Sequence, residues 1–95
     1  MANVTYWQTS WVDSGETGLV PGAEHYWTMW GFSYGEVVGV TVAPLNSDAG
    51  DQQLMLKDVQ SEADSSGGRR LFFTVRNTGP VRALGYGLNF SFISA

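Results

Sequence analysis

The stretch RLFFTVRN, Arg70–Asn77, decides the fold class of this chain. In an extended segment successive side chains alternate, so Leu71, Phe73 and Val75 share one face and the residues between them share the other. A period of two, rich in aromatic and β-branched residues and followed by Thr-Gly-Pro at 78–80, predicts a β-strand that ends in a turn.

Two further segments carry an apolar stripe with the same period. The stripes are Val38, Val40 and Val42 in one segment, and Leu84, Tyr86, Leu88, Phe90 and Phe92 in the other. No stretch repeats apolar side chains at helical spacing, so the pattern favours strands throughout. Together with Leu71, Phe73 and Val75, the side chains of these stripes are predicted to form the hydrophobic core.

Clusters of Gly, Pro, Asp and Ser divide the chain into short segments, and Ser61–Gly68 is the most polar of them. The predicted strands are Asn3–Val12, Glu24–Tyr34, Glu36–Ala43, Gln52–Val59, Arg70–Asn77, and Val81–Ile93 as one strand or two. Turns at intervals of roughly 10–12 residues are typical of antiparallel sandwiches and small barrels. The sequence therefore predicts one all-β domain, residues 1–95, an antiparallel β-sandwich of six to eight strands with immunoglobulin-like or jelly-roll topology.

The composition excludes several classes of protein. With 43% hydrophobic and 15% charged residues, the chain is too apolar for a disordered segment. It has no Cys, which excludes disulfides and thiolate metal sites, and its net charge of −4 argues against nucleic acid and anionic membranes as partners. No apolar run reaches the ~18 residues of a membrane span. The first residues, MANVTYW, predict no signal peptide, which leaves the localisation open.

Two stretches resemble a known group of β-sandwich modules. They are Leu19-Val20-Pro21-Gly22 ahead of a strand and the later Leu71–Gly79, which contains a V-x-N-x-G turn. Together they resemble bacterial immunoglobulin-like and CARDB-type modules. The resemblance implies a sandwich used for adhesion, glycan contact or spacing, and it assigns no functional residue.

Aromatic residues are concentrated near the start of the chain, where all four Trp fall within the first 30 residues. One face of the first strand interleaves Trp7 and Trp11 with Asn3, Thr5 and Thr9. The two indoles lie ~13 Å apart along an extended strand, which suits a row of sugars. We therefore expect a glycan site that uses this face together with Trp27, Trp30 and Asn89. The alternatives are that both indoles pack in the core, or that they form a protein interface.

The last strand has a nearly flat second face. Gly85, Gly87, Asn89 and Ser91 carry small side chains or none. Glycine weakens a strand interior, so its presence indicates that something approaches the backbone closely. The candidates are a ligand, a Trp from a neighbouring strand, or another subunit.

Charge is distributed unevenly along the chain. Residues 1–56 hold six acidic residues and no Lys or Arg, whereas residues 57–95 hold five cationic and three acidic residues. Arg70 and Arg76 share a face with Phe72, and Arg beside an exposed aromatic is favoured at interfaces. This face is predicted to contact an acidic surface on a second copy and form a homo-oligomer. The alternative to a glycan-binding domain is therefore a structural or self-assembling interaction module.

Catalysis and metal binding have little support in the sequence. The single His, His25, follows Glu24, and adjacent strand residues point to opposite faces. No motif of a nucleophile elbow or a phosphate loop is present. Asn46, Asp48 and Asp51 form a weak candidate calcium loop, for which a solvated turn is the alternative. We predict no enzyme, no cofactor and no assigned metal ligand.

Overall fold

The computed structural model describes residues 3–13, 17–30, 32, 36–45 and 51–94. Over these residues the fold is all-β, with six antiparallel strands and no helix, which confirms the predicted class. The strands are β1 (Asn3–Val12), β2 (Glu24–Trp30), β3 (Val37–Pro44), β4 (Leu54–Ala63), β5 (Arg69–Asn77) and β6 (Gly85–Ser94). None of the described segments is a helix long and apolar enough to cross a membrane.

The strands form two three-stranded sheets, in the orders β1-β6-β3 and β2-β5-β4. Every neighbouring pair is antiparallel. β6 and β5 are the central strands, and they are the two segments whose apolar period is clearest in the sequence. A central strand is covered along both edges, which suits its high content of apolar residues.

Side chains of the two central strands meet in the core. The buried members are Leu71, Phe73 and Val75 of β5, Tyr86, Leu88 and Phe90 of β6, and Leu19 and Ala83 outside the strands. The rings of Phe73 and Phe90 lie 5.8 Å apart and join one sheet to the other. Burying each large apolar side chain stabilises the fold by about 1.5–3 kcal/mol before entropy is subtracted. These contacts fix which face of each sheet is turned outward.

Only β1 has the predicted bounds, and two of the differences at the other strands have a clear structural cause. β4 continues past its predicted end at Val59 to Ala63, inside the polar segment Ser61–Gly68, because a bulge between Lys57 and Gln60 lets it pair again with β5. Asp58 takes the positive φ of 54° within this bulge. The last strand begins only at Gly85, since Ala83 pairs instead with Leu19 in an isolated bridge.

The two stretches that carry the family resemblance form defined turns. In the first, Ala23 N donates to Val20 O at 3.0 Å and Gly22 has a φ of +85°, as a turn with Pro at its second position requires. In the second, the buried Asn77 donates from Nδ2 to the carbonyls of Leu19 and Val81, each at 2.8 Å. Both turns lie where the sequence predicted them. The buried hydrogen bonds of Asn77 could not be predicted, because one acceptor, Leu19, is distant in sequence.

Candidate functional site

A groove runs over β6 on the outer face of the β1-β6-β3 sheet. Its floor is the flat side of β6, where Gly87 and Asn89 project away from the core. One wall is β1, with Gln8 beside Asn89 in the register, and the other is β3, with Thr41 on the opposite side of Asn89. The cavity has a volume of about 470 Å³.

The glycine at the centre of the floor creates the depth of the groove. A Cβ on Gly87 would lie 3.6 Å from the Leu45 side chain, which is an ordinary contact distance. A methyl group there would fill the space between β6 and Leu45 that the glycine leaves open. Ser10 of β1 and Ala43 of β3 flank Gly87 in the register and add little bulk. Small residues in three adjacent strands therefore leave the backbone open to a ligand.

The described lining of the groove holds no ionisable side chain. Its outward-facing polar groups are the amides of Gln8 and Asn89 and the hydroxyls of Ser10 and Thr41. Asn89 Oδ1 is buried and has no hydrogen-bond partner among the described residues. Rotation about χ2 exchanges this oxygen with the amide nitrogen, so the carboxamide can offer either group to a ligand. The lining is chemically suited to an uncharged, hydroxyl-rich molecule.

Tyr6 lies next to the groove, further along β1. It lies two residues before Gln8 on the same outer face, so the two side chains are ~7 Å apart along the strand. Its side chain is 69% exposed and stands opposite Ser91 in the register. An exposed ring beside neutral amides offers a flat apolar surface next to hydrogen-bonding groups.

The face of β1 predicted to bind glycans is turned the other way. Its residues pair with the β6 residues whose side chains include the core members Tyr86, Leu88 and Phe90. The pairs are Asn3 with Ser94, Thr5 with Phe92, Trp7 with Phe90, Thr9 with Leu88 and Trp11 with Tyr86. Trp11 packs against Tyr86 with ring centroids 5.3 Å apart, as the core-packing alternative expects. Trp7 contacts Phe90 at 5.3 Å but remains 51% exposed. Neither indole lies over the glycine face of β6, because that face is on the other side of the sheet.

The remaining predicted aromatic residues separate in the same way. Trp27 faces inward, stacked on Phe73 with an interplanar angle of 4°, and its Nε1 donates to Tyr86 Oη at 2.7 Å. Trp30 faces outward and is 64% exposed. Of the predicted glycan residues, therefore, the structure places only Asn89 and the edge of Thr9 at the groove. Tyr6 and Gln8 were not among the predicted residues, although the sequence already shows that they belong to a strand without charged side chains.

The single His takes part in a half-buried aromatic cluster with Trp11, Trp27 and the buried Tyr86. His25 Nδ1 lies 2.8 Å from Tyr86 Oη, which accepts the Trp27 hydrogen bond and keeps its own proton for donation to the imidazole. Burial lowers the pKa of His25, and burial raises the pKa of Tyr86 to about 12. Trp11 meets the His25 ring edge-on at 4.5 Å. Glu24 lies on the opposite face of β2, so the cluster contains no carboxylate to work with the imidazole.

The three predicted interface residues share the outer face of the β2-β5-β4 sheet. Arg70 forms an ion pair with Glu62, and its guanidinium lies 5.7 Å from the centre of the Phe72 ring. Arg76 donates to Glu24 at 3.1 Å. The exposed Tyr26 and Trp30 stand on the same face, which makes it the charged and aromatic surface of the molecule.

Glu24 joins the two differently charged halves of the chain. Lys57 belongs to β4, on the far side of the central β5, and its Nζ lies 2.6 Å from the Glu24 carboxylate. Hydrogen bonds from Lys57 and then Arg76 hold the pKa of Glu24 below its usual value. Charges from the acidic and the cationic parts of the chain therefore neutralise each other at this residue.

Among the described residues, no group of three or more His, Asp or Glu is arranged to hold a metal ion. The candidate calcium ligands Asn46 and Asp48 lie outside the described residues. Comparison of the chain with protein-family models, curated proteins and solved structures finds no match. The features of the molecule that bear on its function are therefore the groove and the two outer faces.

Proposed function

We propose that this chain is a non-catalytic carbohydrate-binding domain and that the groove over β6 is its sugar site. The observation that carries the proposal is a groove whose described lining is neutral and bears amides and hydroxyls, with the exposed Tyr6 two residues before Gln8 on the same strand. Sugars are uncharged polyols, so a site without ionisable groups binds them without desolvating a charge. A volume of 470 Å³ falls within the ~300–1,000 Å³ of small-molecule sites.

Each part of the groove has a role in this proposal. The Tyr6 ring stacks on the C–H face of one sugar unit. Gln8, Asn89 and Thr41 form one row across the sheet and exchange hydrogen bonds with the hydroxyls of the next unit. Gly87 lets the sugar ring approach the β6 backbone. The ligand class is a neutral glycan of at least two units, since the ring and the polar row are ~7 Å apart.

The finer architecture belongs to the same proposal. We propose that the two sheets form a β-sandwich of immunoglobulin-like or jelly-roll type, as the resemblance to CARDB-type modules implies. Ring contacts between the sheets, such as Trp27 with Tyr86 at 6.2 Å, support this arrangement. A sandwich leaves one outer face of each sheet available, and these are the two faces that differ in chemistry.

The binding test compares two tyrosines on different outer faces. On a glycan array, Tyr6→Ala is expected to abolish binding, whereas the matched control Tyr26→Ala retains it, because Tyr26 is 79% exposed on the other sheet. Asn89→Ala should weaken binding at least tenfold. Both tyrosine variants should keep the wild-type melting temperature within a few degrees. No binding by wild type to any neutral glycan, or equal loss in both tyrosine variants, contradicts the proposal.

A second candidate function is self-association through the charged and aromatic surface. The observation that favours it is that Tyr26, Trp30 and Phe72 stand beside Arg70 on one sheet face. We propose that a homo-oligomer formed there involves the predicted Arg70, Phe72 and Arg76. Sedimentation should then show weaker association at ~500 than at ~50 mM salt, where screening is stronger, and in Arg76→Glu. The same species in both salts and in the variant contradicts this contact.

A further inference from the structure

The edge strands of the two sheets are built differently. β4 has a bulge between Lys57 and Gln60 and carries charged side chains on both sides of it. β2 carries the ion-paired Glu24. Bulges and charges at a sheet edge are devices that prevent a further strand from pairing there.

β1 has none of these devices. Its ten residues, NVTYWQTSWV, include no charge, no Pro and no Gly. Its pairing with β6 is unbroken from Asn3 opposite Ser94 to Val12 opposite Gly85. The other edge of this sheet, β3, ends in Pro44 and contacts β4. β1 is therefore the regular, neutral edge.

The backbone groups that point away from β6 can be identified. Asp13 N donates to Leu84 O at 2.9 Å, directly after the strand, and these residues continue the β1–β6 register. Hydrogen-bonded and non-hydrogen-bonded pairs alternate along an antiparallel ladder. The odd-numbered residues 3–13 therefore bond to β6. The outward row of N–H and C=O groups belongs to Val4, Tyr6, Gln8, Ser10 and Val12.

We infer that β1 pairs antiparallel with β1 of a second copy of this chain, about a two-fold axis at Gln8. In this register the residues whose backbone groups point away from β6 pair with the same set of residues in the second copy. It is the register in which all five of them pair, with Val4 opposite Val12 of the other copy. Val4 and Val12 are exposed in the single chain, at 46% and 66%, so the pairing covers apolar surface at both ends. A second copy suits this edge because a neutral strand meets itself without repulsion between like charges.

Such a pair makes one continuous six-stranded sheet. Both β6 grooves then lie on the same side of it, because a two-fold axis perpendicular to the sheet keeps outer faces on one side. Where the groove binds glycans, which rests on the function proposed above, the dimer is bivalent and gains avidity on a multivalent glycan surface. The pairing itself does not depend on glycan binding.

Two single-cysteine variants test the register, because the chain has no Cys of its own. In Gln8→Cys the two Cα atoms face each other at ~5.5 Å, within the range that a disulfide bridges. In the matched control Ser10→Cys they are offset by four residues, ~13 Å. Under mild oxidation the first is expected to form a covalent dimer and the second to remain uncross-linked. Equal cross-linking of both, or of neither, overturns this register.

Analytical ultracentrifugation tests the edge itself. The wild type is expected to be dimeric at high concentration in both ~50 and ~500 mM salt, which separates this contact from one steered by charge. Gln8→Lys places two cations on the axis and should give a monomer, whereas Thr28→Lys on the β2 edge should not. Circular dichroism checks that both variants fold. A monomeric wild type, or an undiminished dimer in Gln8→Lys, overturns the proposal. A dimer that binds no glycan contradicts the proposed function alone.

Discussion

Asn77 shows how one buried polar residue organises a turn. Its Nδ2 donates to two carbonyls, and its Oδ1 accepts from Gly79 N at 2.9 Å. The side chain is 1% exposed, so water cannot replace these bonds. Leu19, one of the acceptors, is a core residue outside the strands. Asn77 therefore connects the end of β5 to the segment before β2.

We expect Asn77→Ala to lower the free energy of unfolding by about 3 kcal/mol, because buried backbone groups lose their partners. Urea denaturation measures this as a shift of the midpoint at unchanged slope. The matched control is Asn3→Ala on the exposed start of β1, which should change the midpoint little. Equal midpoints for the two variants would show that the buried bonds contribute nothing net.

His25 predicts a pH dependence of stability. Burial lowers the pKa of His25 in the folded chain, while the unfolded chain keeps a value near 6.5. Above the unfolded value both states are neutral and stability is complete. As the pH falls below about 6.5, the unfolded state binds a proton more readily, so stability declines towards the lowered folded value.

Denaturation midpoints between pH 7.5 and 5 measure this decline. The wild-type midpoint should fall over that interval, and His25→Gln should remove most of the fall, since the chain has a single His. Glu24, whose pKa is also lowered, titrates at more acidic pH and does not interfere. A wild-type midpoint that is flat from pH 7.5 to 5 would contradict the prediction.

At the scale of the strands, the sequence predicted the faces of some elements and not of others. β5 and β6 each have an unbroken apolar stripe on one face, so alternation assigned Phe73 and Phe90 to the core. β1 has large aromatic residues on both faces, Tyr6 on one and Trp7 on the other. Alternation separates the two faces but cannot say which is inward. The register decides it, because Trp7 stands opposite Phe90.

The candidate site was predictable only in part for the same reason. The glycines of β6 indicated, from the sequence of that strand alone, that something approaches its backbone closely. In the structure the face with Gly87 is open and forms the floor of the groove. The walls come from β1 and β3, which are distant in sequence, and their positions depend on long-range pairing. Asn89 could be proposed from its strand, whereas Thr41 gave no local signal.

Gly87 provides a test at the level of the element. A Cβ there would meet Leu45 at an ordinary contact distance of 3.6 Å, so Gly87→Ala should fold normally. The methyl group raises the groove floor, and glycan binding should fall at least tenfold. Gly79→Ala is the contrasting variant: its Cβ would lie 2.8 Å from Gln53 N, which predicts lost stability instead. Thermal melts and glycan titrations of both variants separate the two effects. Unchanged binding in Gly87→Ala would contradict a ligand on the floor.

At the scale of the whole molecule, the two outer faces have different electrostatics. The β2-β5-β4 face holds Glu24, Lys57, Glu62, Arg70 and Arg76, largely paired with one another. The described strand residues on the outer face of β1-β6-β3 carry no charge. A chain with a net charge of −4 thus keeps Asp, Glu, Lys and Arg out of the described strands of one sheet. This division is what allows the two proposed activities to be distinguished.

Ionic strength should therefore leave glycan binding unchanged. Contacts in the groove are hydrogen bonds and stacking between neutral groups, which salt screens little, whereas interactions between exposed charges weaken as the Debye length falls from about 10 Å at 0.1 M to about 3 Å at 1 M. We expect the dissociation constant of a soluble glycan, measured by calorimetry, to vary less than twofold between these salts. Arg70→Ala, on the other sheet, should behave as wild type. A tenfold weakening in high salt, or a loss of binding in Arg70→Ala, would move the site to the charged face, where Arg70 lies beside Phe72 and opposite the exposed Trp30.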